Sequence, residues 1–167
     1  MRFVYDRLVS FEPPDYLASL HACVDGYDGA HREAVVRAPD VFAFFARLFQ
    51  DPELPSSART LVNAVLAYFV APHDALSEEE LGPFGLLDDL YVAAHAFQLL
   101  RRELSGDVLQ TAWQKRGRAA AQSIRGRREP PADDDEDVEE VMATVRSESR
   151  AAIGKHGREA LKLAGIG

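Results

Sequence analysis

The stretch Ala67–Leu90, AYFVAPHDALSEEELGPFGLLDDL, decides how this chain folds. An apolar helix runs into Pro72, which cannot donate the next helical hydrogen bond and biases Ala71 away from α geometry. His73 and Asp74 follow. Ser77-Glu-Glu-Glu80 is then a capping box, in which Ser77 accepts a backbone N–H near Glu80 and Glu80 reaches back. Gly82-Pro83 ends that turn, and Gly85 permits a positive φ or a close backbone approach. Asp88-Asp89 opens a second apolar helix, where negative charge meets the positive dipole end. Two readings compete for these acids. In one, the segment is a capped turn that folds two apolar helices back on each other. In the other, Asp74, Asp88 and Asp89, with His95 or His73, hold a metal ion. Asp88 and His95 are two helical turns apart, about 10 Å along the axis, so they share an ion only through a loop residue such as Asp74. No HExxH-type spacing supports the ion, and capping is the favoured reading.

Outward from this hairpin the pattern is helical throughout. Pro13-Pro14 ends an N-terminal arm, residues 1–12, in which Phe3-Val-Tyr5 is the one plausible short strand. Asp15–Val24 reads as a helix with Tyr16, Leu17, Leu20, Cys23 and Val24 on one face. Asp25-Gly-Tyr-Asp-Gly29 is turn chemistry, and His31–Arg37 continues as helix. Pro39-Asp40 starts the next, with Asp40 as its expected cap. Val41, Phe44, Phe45, Leu48 and Phe49 are its core positions. Ser56 or Ser57 caps a helix to about Phe69, expected to be central in the core. Leu86 to about Glu103 and Val108 to about Ile124 are the next two helices, separated by Ser105-Gly106. Residues 129–137 form an acidic linker of low complexity, which cannot bury enough apolar surface to fold alone. Val138–Ala152 is a final amphipathic helix with Val138, Val141, Met142 and Val145 as its stripe, and Gly154, Gly157, Gly165 and Gly167 loosen the end.

The chain has 167 residues, 47% of them hydrophobic, which suits one globular domain and a tail. Its net charge of −8 argues against tight nonspecific binding to nucleic acid or an anionic membrane. Cys23 is the single cysteine, so neither an intrachain disulfide nor a zinc spacing is available and a reducing compartment is expected. Met1–Ser10 carries Arg2, Asp6 and Arg7 and lacks the apolar core of a signal peptide. No apolar run approaches the roughly 20 residues of a membrane span. A cytoplasmic location is the expectation.

Tyr68, Pro72, Asp74, Gly85, Asp88 and Asp89, in that order between apolar helices, resemble the DUF1232 (YkvA-like) family. Its pattern is an apolar helix ending in Tyr, a Pro-x-Asp step, a short loop, and Gly before an Asp pair. Ser77 stands where the family usually has proline, and the loop is about one residue longer. The resemblance implies a helical DUF1232-like domain, here residues 13–128, followed by the linker and a C-terminal helix and tail, 138–167. It implies no activity, because the family has no settled one.

The fold expectation is therefore an all-α class: a compact helical bundle with a central kinked hairpin, plus a charged linker and a C-terminal helix. No Gly-rich phosphate loop or serine-nucleophile elbow is present, and neither a cofactor nor a catalytic residue is expected. The expected function is a non-enzymatic binding or adaptor module, its charged C-terminal region engaging a protein partner or a second copy. The stripe Val138, Val141, Met142, Val145 is the candidate docking face, for a groove in cis or in trans. A metal-dependent enzyme or metal-stabilised fold at Asp74, Asp88 and Asp89 is one alternative. The other is a nucleic-acid accessory factor using the basic segment 115–128, six cations and no acid, with Arg116, Arg118, Arg125, Arg127 and Arg128 as contacts. The acidic run Asp133–Glu140 behind that segment competes with phosphate and can pair with it, within the chain or between copies.

Overall fold

The computed structural model describes residues 13–70, 85–121 and 136–166. They form an all-α bundle: α1 Pro13–Val24, α2 Arg32–Val35, α3 Ala38–Phe49, α4 Ser56–Val70, α5 Leu87–Leu100, α6 Gly106–Ala121, α7 Val138–Ile153 and α8 His156–Ala164. The Phe3–Tyr5 strand, the Pro72 break and the loop with Asp74 lie outside the described residues.

The most buried element is α5, not α4. Leu87, Leu90, Val92, Ala93, Ala94, Ala96, Phe97 and Leu100 are all buried, so α5 is apolar around nearly its whole circumference. It is surrounded by α4, α7, α8, α2 and α3. By contrast α4 keeps a solvent face and buries Ala58, Val62, Val65, Leu66 and Phe69. α4 is amphipathic, and an amphipathic helix marks the rim of a core and a uniformly apolar one its centre.

The aromatic side chains of α3 join the outer helices to that centre. Phe44 meets Phe97 of α5 at 6.0 Å and Trp113 of α6 at 5.9 Å between ring centroids. On the other side, Tyr16 packs on Phe42, Phe42 on Phe69, and the Tyr16 hydroxyl donates to the Phe69 carbonyl at 2.6 Å. Such edge-on pairs add about 1 kcal/mol each beyond their area burial. The sequence expectation for α3 needs one correction. Asp40 lies inside the first turn, the position before the helix is Arg37, and no side chain caps it. The Asp40 carboxylate instead pairs with Arg37 and Arg116.

The C-terminal helices differ most from expectation. Sequence separates residues 138–167 from the bundle. In the structure, Val138, Val141, Met142, Val145 and Ile153 of α7 and Ala160 and Leu161 of α8 belong to the same continuous core as α3 and α5. α7 packs along α5 and α2, and α8 crosses α5 and α4. Of the glycines read as loosening the end, Gly154, Gly157 and Gly165 instead build it, and Gly167 lies outside the described residues. Gly154, at φ +51°, turns the chain between α7 and α8, and Gly165, at φ +78°, ends α8. A Cβ on Gly157 would lie 3.0 Å from the Tyr91 ring, so the missing side chain lets α8 close on α5.

Candidate functional site

Three constellations of polar residues stand out. The first is at the mouth of the α4–α5 hairpin. Asp88 and Asp89 occupy the first turn of α5 and are 0% exposed. The Tyr68 hydroxyl, near the end of α4, donates to Asp88 Oδ2 at 2.8 Å across twenty residues of sequence. The hairpin is therefore stapled by a buried hydroxyl–carboxyl bond, with the helix dipole favouring the acid. Gly85 is buried just before the helix. Among the described residues, no three His, Cys, Asp or Glu side chains gather as metal ligands. His95 lies on α5 away from this mouth. Burial first, then the positive charges of Arg146 and Arg102, hold its pKa below the ordinary value of 6.5.

The second constellation clamps the start of α7. Arg37 donates through both terminal nitrogens to Glu136, at 2.7 and 2.5 Å. Arg116 reaches Asp40 at 3.4 Å and Glu136 at 3.9 Å. Its guanidinium lies 3.6 Å over the Trp113 ring and donates to the Trp113 carbonyl. The Gln110 side chain completes the clamp. Its amide nitrogen donates to the Glu136 carbonyl at 2.8 Å, and its oxygen accepts the Val138 N–H at 2.9 Å. Glu136, the last acid of the linker before the helix cap, is thus held by α3 and α6 together. Asp137 then caps α7 by accepting the Glu139 N–H at 2.9 Å. One pair between the basic and acidic blocks, Arg116 with Glu136, forms here within the chain.

The third is the outer surface of α7 and α8. Glu139, Glu140, Ala143, Thr144, Ser147, Arg150, Lys155, Arg158, Glu159 and Lys162 are exposed, and Leu163 is 55% exposed. Glu148 is taken by His31, whose Nδ1 lies 2.8 Å from its carboxylate. Glu159 faces His156 at 3.7 Å, and Arg101 pairs with Glu139 at 3.1 Å. Arg146, Arg150, Lys155, Arg158 and Lys162 have no acidic oxygen within 4.0 Å among the described residues. Beside α7, a cleft of about 390 Å³ runs between Arg32, Val36 and Arg37 on one side and Glu140, Val141 and Thr144 on the other.

Residues 58–94 match the family model described as "Protein of unknown function (DUF1232)". The α4–α5 hairpin thus carries the segment that is similar to that family. The match takes in the whole Tyr68–Asp89 motif and leaves out the clamp residues, α7 and α8. An "Uncharacterized protein ORF9" from Methanothermobacter thermautotrophicus is 28% identical over 87 residues. Those residues are 52% of this chain and 60% of that protein, so this chain spans three fifths of that relative's length. No solved structure matches.

The expected interaction residues divide sharply. Val138, Val141, Met142 and Val145 are covered by the bundle itself, because α5 presents the apolar surface that their stripe fits. Arg116 is 7% exposed and committed to Trp113, Asp40 and Glu136, so it is not a surface cation. Arg118 lies in the last turns of α6. Arg125, Arg127 and Arg128, like Pro72 and Asp74, lie outside the described residues. Sequence reading missed Arg37, Asp40, Gln110 and Glu136 as a unit and missed α8 entirely. The signal for α8 was present: Ala160, Leu161 and Ala164 keep helical spacing behind Gly157. No helix among the described residues is long and apolar enough to cross a membrane.

Proposed function

We propose that this chain is a non-catalytic helical binding module that engages a protein partner through the outward surface of α7 and α8. The observation that carries this reading is a mismatch of charge. In a chain of net charge −8, four cations on these two helices and Lys155 between them lack an acidic neighbour among the described residues, beside the exposed Leu163. Arg158 sits in the first turn of α8, where the helix dipole disfavours positive charge, so local stability does not account for it. The apolar stripe of α7 takes no part, being spent on the core.

An anionic protein surface is the favoured partner class. A membrane is disfavoured because the apolar face of α8 is turned into the bundle and cannot insert. Nucleic acid is disfavoured by the overall negative charge and by the acids that open α7. The test is affinity capture with the full chain and with an Arg158→Glu/Lys162→Glu variant at equal stability. A specific protein lost from the variant supports the module. An unchanged set of captured proteins overturns it.

A further inference from the structure

The outward face of α7 is polarised along its length. Asp137, Glu139 and Glu140 stand at the N-terminal end, Arg150 at the C-terminal end, and Lys155 just beyond it. Neither Glu140 nor Arg150 is in an ion pair among the described residues. Between them the exposed positions are Ala143, Thr144 and Ser147. Short side chains permit close approach but select no occupant. The order of charge selects one. A helix running antiparallel to α7 meets acid with base at both ends only if it carries the same acid-to-base order. The chain possesses such a helix, namely α7 itself. About a two-fold axis at position 145, Glu140 of one copy opposes Arg150 of the other, and 143 opposes 147.

We propose that the outward face of α7 docks on the same face of a second copy, antiparallel, through two symmetry-related Glu140–Arg150 pairs. This rests on the binding-module reading and names the partner that α7 takes, leaving the cations of α8 for another. A two-fold contact of this kind is isologous, so each pair occurs twice. Its inner side is already packed on α5, so pairing requires no unfolding. One helix face per partner places the contact at the small end of specific interfaces, and association is weak and sensitive to salt.

The full chain is measured by sedimentation equilibrium from low-micromolar to near-millimolar concentration. The wild type is expected to rise towards twice the monomer mass, and less so in high salt. Glu140→Arg alone and Arg150→Glu alone each oppose like charges and are expected to weaken association about tenfold or more. Mixing these two single variants restores complementary pairs and is expected to restore association, as is the double variant. Circular dichroism of each variant confirms the fold. A wild type that stays monomeric throughout, with reversals that alter only the melting temperature, is the signature of helix-dipole effects within one copy and overturns the proposal. Association indifferent to the single reversals also overturns it. Either result leaves the α8 surface, tested separately through Arg158 and Lys162, untouched.

Discussion

α5 and α7 both open on acids, and the two starts are built in opposite ways. Asp137 caps α7 from solvent, as the local pattern predicts. Asp88 and Asp89 lie one step deeper, inside the first turn of α5, with no side-chain cap on that helix and no solvent exposure. The same residue type therefore serves as a local cap in one place and as a long-range staple in the other. What differs is the surroundings. α5 is enclosed by five helices, so its first turn is interior and its acids must find partners such as Tyr68. α7 starts at the rim, where Arg37, Arg116 and Gln110 hold the chain just before it.

The largest expected effect comes from the inner face of α7. Val145→Asp places a carboxylate where exposure is zero and should cost several kcal/mol, lowering the urea midpoint of the whole molecule. A melt in which only a C-terminal fraction is lost while the rest stays cooperative would return α7 to the status of a tethered tail. Next comes the same substitution at both helix starts. Asp88→Ala removes the buried Tyr68–Asp88 bond and should cost about 3 kcal/mol. Asp137→Ala removes an exposed cap and should cost about 1 kcal/mol. Equal losses in equilibrium denaturation would erase the distinction between staple and cap.

The smallest effect is that of His95. Its folded pKa lies below 6.5, so the unfolded chain takes up the proton first as the pH falls. Its contribution is complete above that value, declines as the pH drops from about 6.5 towards the folded pKa, and changes no further below it. His95→Gln should flatten this part of the stability–pH curve. A slope unchanged by the substitution would assign it to other groups.

The hairpin was legible because its signals are local. Tyr68, Gly85 and the Asp pair lie within about twenty residues, and turn chemistry announces itself by sequence spacing. The place of Asp88 in the first turn of α5 was legible, while its burial and its bond to Tyr68 were not, since burial depends on helices 50 residues away. The clamp was invisible for the same reason: Arg37, Asp40, Gln110, Arg116 and Glu136 come together only after α3, α6 and α7 pack. The basic block 115–128 therefore read as a surface, although its Arg116 is stacked on Trp113. The apolar stripe of α7 was correctly found, but periodicity states that a face is apolar and says nothing of whether its cover lies in the same chain. Glycine frequency around α8 outweighed a sound helical pattern, although Gly154, Gly157 and Gly165 each have a definite place.

Native-state hydrogen exchange of the dilute full chain tests most directly whether α7 is core. Amides of residues 142–153 should exchange only through global unfolding, with the same opening free energy as the centre of α5. Exchange of α7 through a separate, low-energy opening while α5 stays protected would contradict that assignment.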